Sequence, residues 1–282
     1  MSAEAKIVVT GAGGQVGRAL QPLLPGASFQ SHAALDVSDA EKVSAAVAGA
    51  ACVVHLAAMT NVDGCESDPR RAQEINALGT RNVGEAARKT GAWVIYVSTD
   101  YVFDGLKSSD YEVDDEPSPI NVYGRTKLDG ETSVARDPDN IILRTSSVFG
   151  DGKNFVRTII AAARVGKDLR VVDDQISRPT AASDVARAIA HLVSSPGAGI
   201  VHVAGDGPAC SWAELAERAL HAAGITAPVA RVDSASYAAT AGRVTAPRPG
   251  NSALSLDAAR ELGLPLADWR PSLHRYVQEH RL

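Results

Sequence analysis

In the first half of the chain, short runs of β-branched and apolar residues alternate with longer stretches whose apolar positions recur at helical spacing. Four strands are predicted: Lys6 to Thr10 (KIVVT), Cys52 to Leu56 (CVVHL), Trp93 to Ser98 (WVIYVS) and Ile141 to Arg144 (IILR), with a weaker one near Ser28 to Ser31. Between them, Ser38 and Glu41 have the spacing of a capping box that opens a helix, and Asp68 to Lys89 reads as one long helix closed by Gly91. Strands that alternate with helices in this way feed a parallel sheet, so the pattern predicts a doubly wound α/β fold.

Past Arg144 the rhythm changes. A Gly/Asp-rich loop is followed by a helix near Asn154 to Arg164, a strand Leu169 to Val172, a helix Ala181 to Ser194 and a second capping box at Ser211 and Glu214. The segment Tyr237 to Leu256 carries Pro247, Pro249 and Gly250 and few large apolar side chains. This half is expected to be a smaller α/β substrate-binding cap. The expected division is residues 1–148 for a nucleotide-binding domain, with return segments from the C-terminal half, and 149–282 for a mainly substrate-binding domain. No internal repeat or low-complexity tract interrupts this reading.

Composition narrows the partners. A net charge of −5 over 282 residues, without any Lys/Arg-rich block, argues against nucleic acid or an anionic membrane as the main partner. Met1 to Lys6 lacks a signal-peptide pattern and no stretch has the ~18 apolar residues of a membrane span, so a cytoplasmic protein is expected. Cys52, Cys65 and Cys210 are odd in number and widely separated, with no histidine at ligand spacing. They read as reduced thiols, and no metal site is expected.

Candidate chemistry begins directly after the first predicted strand, at Gly11-Ala12-Gly13-Gly14-Gln15-Val16-Gly17. Glycines at this spacing before a helix let backbone N–H groups approach a pyrophosphate at the helix N-terminus, the arrangement of a Rossmann dinucleotide site. The acidic residue expected ~20 positions on to hold a ribose is replaced by Gln30, Ser31 and His32. Asp36 and Val37 lie further along as candidates for the adenosine end, although Asp36 also reads as a residue near the cap of the following helix. NADH and NADPH both stay open. Leu56, Ala57 and Ala58 suit close approach of backbone to a cofactor because small side chains leave room.

Tyr123 and Lys127 stand four apart on a predicted helix and so share a face. A phenol with a pKa of about 10 is a poor proton donor near neutrality, and an adjacent ammonium is expected to stabilise its phenolate. Val97-Ser98-Thr99-Asp100 ends a predicted strand, and open parallel sheets bind ligands at the carboxyl ends of their strands. Thr99 is there a candidate to hydrogen-bond a carbonyl under reduction. Ser98 and Thr99 also read as ordinary strand-end caps.

These residues resemble the dTDP-4-dehydrorhamnose reductase family of the extended short-chain dehydrogenases, along essentially the whole chain. The resemblance is carried by the glycine loop, Ala57-Ala58-Met59-Thr60-Asn61-Val62-Asp63, Ser98-Thr99-Asp100-Tyr101-Val102-Phe103-Asp104-Gly105 and Tyr123-Gly124-Arg125-Thr126-Lys127. Arg144-Thr145-Ser146, Asn154-Phe155, Asp174-Gln175, Pro179-Thr180, Arg248-Pro249, Ser252 and Leu254 follow in the family's order. The resemblance implies an oxidoreductase that reduces the 4-keto group of a dTDP-4-keto-6-deoxyhexose with NADPH, or possible NADH, as monomer or homodimer. It implies Thr99, Tyr123 and Lys127 as catalytic residues, and Gly11, Gly14, Gln15, Val16, Asp36, Val37, Leu56, Ala57, Ala58, Thr60 and Val97 beside the cofactor together with Tyr123 and Lys127. Thr60, Val62, Thr99, Asp100 and Tyr101 are implied to face the sugar nucleotide.

The chain departs from the family at Ser147, where a tryptophan often packs on the sugar, and an aromatic wall is expected to be lost. At Arg178 the family usually has a small residue, and a diphosphate contact or a structurally paired arginine are the two readings. Two rival functions share the scaffold. One is a non-catalytic nucleotide-binding regulator, which would bind cofactor without turnover. The other is an epimerase or dehydratase, which would not consume added NADPH.

Overall fold

The computed structural model describes residues 6–282 except 196, 198, 241 and 243, so Met1 to Ala5 of the stretch read for a leader lie outside the described residues. The predicted strands form as β1 (Ile7–Thr10), β2 (Ser28–Gln30), β3 (Cys52–His55), β4 (Trp93–Thr99) and β5 (Ile141–Thr145). With the strand Gly199–His202 they make a six-stranded sheet in the order Gly199–His202, β5, β4, β3, β1, β2. Every pairing in it is parallel. A parallel sheet is covered on both faces, and near-continuous apolar runs such as Val53 and Val54 are what that burial requires. One face packs against helix Ala182–Ser194 through Val185, Ala188 and Ile189, the other against helix Gly79–Thr90 through Val83, Ala86 and Ala87.

Two helix expectations need correction. The helix after β2 is capped by Asp39, which accepts from the Lys42 amide at 3.1 Å, and not by a Ser38–Glu41 box. The Ser38 hydroxyl is instead donated to Asp36 at 2.7 Å, so a closer carboxylate takes it. The long stretch Asp68 to Lys89 is also not one α-helix. It runs as Pro69–Ala72, a π-helical segment Gln73–Leu78 and Gly79–Thr90, ending at Gly91 in the left-handed region (φ 71°). The wider π turn places Asn76 inward, where its side chain accepts from the Met59 amide at 2.7 Å and donates to Thr126 at 3.1 Å.

The second half builds its own core. Asn154 caps helix Phe155–Arg164, and the strand Leu169–Val172 pairs in parallel with Val229–Val232, a partner the residue pattern leaves unannounced. The Ser211–Glu214 capping box forms with both of its bonds, at 3.0 and 3.1 Å. The Pro-rich segment crosses back to the first half: Asn121 donates to the Pro247 carbonyl at 3.0 Å, Arg248 to Asp63 at 2.7 Å and Ser252 to Asp100 at 2.5 Å.

Helix Val122–Val134 lies against β4 and β5 through a buried ion pair. Arg144 donates to both carboxylate oxygens of Glu131, at 3.0 and 2.7 Å, with side chains 2% and 4% exposed. Breaking such a pair by removing one partner strands the other charge out of water. Glu131→Ala is therefore expected to lower unfolding free energy by about 3–5 kcal/mol in guanidinium titration. A loss below about 1 kcal/mol, the value of an exposed pair, would show that Arg144 finds other compensation.

Candidate active site

The carboxyl ends of the sheet open into a cleft of about 1110 Å³. Its floor begins at the glycine loop. Gly11 has φ +69°, and a Cβ there would lie 2.6 Å from the Ala57 amide nitrogen. A Cβ on Gly17 would lie 2.7 Å from the Gly11 carbonyl oxygen, so the turn from β1 into helix Gln15–Leu20 closes only without side chains. Thr10 stitches this strand to the next: its hydroxyl accepts from the Ala57 amide at 3.3 Å and bonds His55 Nδ1 at 2.7 Å. Burial holds His55 neutral, its pKa pushed down to about 3.

The cleft brings together nearly all the residues singled out in the sequence. Gly11, Gly14, Gln15, Val16, Asp36, Val37, Leu56, Ala57, Ala58, Thr60 and Val97 line it, and so do Val62, Thr99, Asp100, Tyr101, Tyr123, Lys127 and Ser147. Arg178 is the exception. It is not among the lining residues, and its guanidinium is held by the Asp110 carboxylate and the Gly207 carbonyl. The structural pairing, not the diphosphate contact, is what the geometry contains.

Helix Val122–Val134 starts at Asn121, whose side chain accepts from the Gly124 amide at 2.7 Å. This start directs Tyr123 and Lys127 at the cleft from consecutive turns. Lys127 is 2% exposed, donates to the Val97 carbonyl at 2.7 Å and lies 4.0 Å from the Tyr96 ring centroid. Burial pulls its pKa down to about 7, opposed by Glu131. Tyr123 moves the other way: burial pushes its phenol well above the ordinary value, and the neighbouring Thr99 hydroxyl offsets part of the rise. The lowering of the phenol expected from Lys127 is not what the surroundings produce: burial dominates, the offset comes from Thr99, and the Lys127 amine is engaged with a carbonyl. A phenol so placed carries its proton at neutral pH, the form a general acid needs.

Orphaned polar atoms mark where a ligand belongs. Ser98 Oγ, Thr145 Oγ1 and Gln15 Oε1 are buried without a hydrogen-bond partner, and all three residues line the cleft. Buried polar atoms of this kind are costly unless something satisfies them. Together with the side-chain-free glycine cradle, they fit a dinucleotide lying from the loop to the ends of β4 and β5.

Some lining residues escaped the sequence reading. Phe155 and Trp212 face the cleft as an edge-to-face pair, ring centroids 4.7 Å apart. They stand on separate helices of the second half, so an aromatic surface is present although position 147 lacks one. Ser147 itself has φ 44°, rare for a residue with a side chain, and bonds Ser177 Oγ at 2.7 Å. The inward polar position of Asn76 in an otherwise amphipathic stretch was a usable signal; nothing local marks Trp212.

The family described as RmlD substrate binding domain matches residues 5–282. The spore coat polysaccharide biosynthesis protein SpsK of Bacillus subtilis is 37% identical, over 97% of this chain and 97% of its own length. The dTDP-4-dehydrorhamnose reductase of Mycolicibacterium smegmatis is 37% identical, over 96% of this chain and 85% of its own. A solved structure of dTDP-4-dehydrorhamnose reductase from Bacillus anthracis, in complex with NADP, superposes with a TM-score of 0.91 at 33% identity, covering 98% of this chain and 100% of that one.

Gly17→Ala is expected to weaken NADPH binding at least about tenfold, roughly 1.4 kcal/mol, as read by quenching or enhancement of nicotinamide fluorescence. Unchanged affinity in a folded variant would mean that the cofactor does not approach this turn.

Proposed function

The chain belongs to the RmlD substrate binding domain family, and from that premise we propose that it is an NADPH-dependent reductase of the 4-keto group of a dTDP-4-keto-6-deoxyhexose. The observation that carries this is the meeting of Thr99, Tyr123 and Lys127 with the glycine loop in one cleft at the carboxyl ends of the strands.

NADPH held along the glycine cradle would supply the hydride that reduces C4. Gly11, Gly14, Gln15 and Val16 would hold its diphosphate end, Asp36 and Val37 its adenosine end, and Leu56, Ala57, Ala58, Thr60 and Val97 its remaining length. Tyr123 delivers a proton to the oxygen that becomes the C4 hydroxyl, and Thr99 fixes that oxygen by hydrogen bonding. Lys127, one turn from Tyr123, offers positive charge as the phenol gives up its proton. Thr60, Val62, Asp100, Tyr101 and Ser147 face the sugar nucleotide, whose rings meet the Phe155–Trp212 surface. The same reading assigns cofactor binding to residues 1–148 with their returning segments and substrate binding mainly to 149–282, in a cytoplasmic protein that works as a monomer or homodimer, without nucleic-acid or membrane partners. No helix among the described residues is long and apolar enough to cross a membrane.

The test is NADPH oxidation followed by absorbance with a panel of dTDP-4-keto sugars. Stoichiometric consumption is expected with at least one. Cofactor binding without turnover on any would favour a regulatory subunit, and sugar conversion without NADPH consumption would favour an epimerase or dehydratase. Tyr123→Phe is expected to keep NADPH affinity within a few-fold while kcat falls by roughly 100-fold or more, as loss of a general acid does. Turnover near wild type in that variant would rule out the proposed acid.

A further inference from the structure

A threonine hydroxyl has one proton and two lone pairs, and the surroundings of Thr99 account for all but one of these. The Tyr101 amide donates to Thr99 Oγ1 at 3.2 Å, which uses one lone pair. Asp100 Oδ1 lies 3.0 Å from the same oxygen and takes either the proton or the second lone pair, according to its own protonation. Whatever is left faces the cleft, where the Tyr123 hydroxyl and a substrate oxygen are the groups within reach of it. With Asp100 ionised, Thr99 has to donate to the carboxylate and turns a lone pair toward the substrate oxygen. With Asp100 protonated, the acid donates to Thr99, and the threonine proton is free to point into the cleft.

The rest of the Asp100 environment tolerates both states. Ser252 donates to Oδ2 at 2.5 Å, a bond that survives whether Oδ1 carries a proton or not. The carboxyl is 2% exposed. The ionisable groups acting on it are Tyr101 beside it and Tyr123 on the helix Val122–Val134; next to these stand Asp63 and Arg248 against Tyr101, Cys65 against Tyr123, and Lys127 lining the same cleft. Of these, Arg248 is ion-paired with Asp63 and Lys127 is bonded to the Val97 carbonyl. Burial pushes the Asp100 carboxyl up to about 7 against the opposing pull of its Ser252 and Thr99 donors, so both forms are populated near neutrality.

We infer that Asp100 is a positioning residue for the reduction: its neutral carboxyl turns the Thr99 proton toward the substrate carbonyl, and its ionised form turns that proton away. The consequence is electrostatic. An oxygen gaining negative charge as hydride arrives is stabilised by a donor and opposed by a lone pair backed by a carboxylate. The inference rests on the 4-ketoreductase reading above.

The experiment is the pH dependence of kcat/KM for NADPH-dependent reduction of the active dTDP-4-keto sugar by wild type, Asp100→Asn and Ser252→Ala. Wild type is expected to lose activity as pH rises through neutrality. In Asp100→Asn the amide NH₂ donates to Thr99 at every pH, so the alkaline slope of log kcat/KM against pH should fall by one unit, any remaining limb belonging to Lys127. In Ser252→Ala the carboxylate loses a donor, its charged form is disfavoured, and the limb should move to higher pH. If Asp100→Asn does not fold, the Ser252→Ala shift decides alone. The inference is overturned if the slopes and midpoints of the variants match wild type. It is equally overturned if Asp100→Asn is inactive at every pH with NADPH affinity and circular dichroism intact, because an ionised carboxylate would then be the working form. A wild type that binds NADPH and reduces none of the sugars sinks the parent reading instead.

Discussion

Helix Val122–Val134 carries a lysine and a glutamate into the interior, and the site depends on how those buried charges are compensated. Glu131 is answered by Arg144 from β5, in a two-point bond that also fixes the helix along its axis. Lys127, one turn earlier, donates from its amine to the Val97 carbonyl and lies against the Tyr96 ring. The helix is thus pinned at one charge and left adjustable at the other. Asn76 adds a third attachment by bonding Thr126 and the Met59 backbone together, linking the helix to the loop after β3. Two strands, β4 and β5, and the Asn76 segment therefore position one face of the helix, and one of the three attachments, from the Lys127 amine to the Val97 carbonyl, engages a group that the proposed reaction also uses.

The C-terminal segment closes the same region from the other side. Arg248 reaches Asp63 across 185 positions of chain, and Ser252 reaches Asp100 across 152. Both partners sit at the ends of main-sheet connections, so the second half is fastened to the first next to the cleft and not at its periphery. A ligand lying across the two halves, as the reductase reading requires, would meet the Asp100 carboxyl that both Thr99 and Ser252 contact.

Legibility in the sequence follows the range of the interaction. β1, β3, β4 and β5 are visible because a strand buried on both faces needs an unbroken apolar run, and the glycine loop because a tight turn tolerates no Cβ at Gly11 or Gly17. Tyr123 and Lys127 are visible because helical periodicity makes neighbours of residues four apart. The Ser38 cap fails since Asp36 takes the Ser38 hydroxyl while Asp39, one residue on, accepts the Lys42 amide as the cap. Arg178, Phe155, Trp212 and Ser252 have environments set by residues far away in sequence, to which no spacing rule applies. The pairing of Val229–Val232 with Leu169–Val172 is hidden for the same reason.

Burial acts on Tyr123 and Lys127 in opposite directions, and the two effects fit one reaction. It raises the phenol, so Tyr123 enters with its proton, and lowers the amine to about 7, so Lys127 is near the midpoint of its own titration. Each charged form alone is penalised in this environment. On the reductase reading, a phenolate left on Tyr123 after proton transfer and an ammonium on Lys127, one turn away, would offset part of each other's burial cost, so the two residues would act as a pair and not singly.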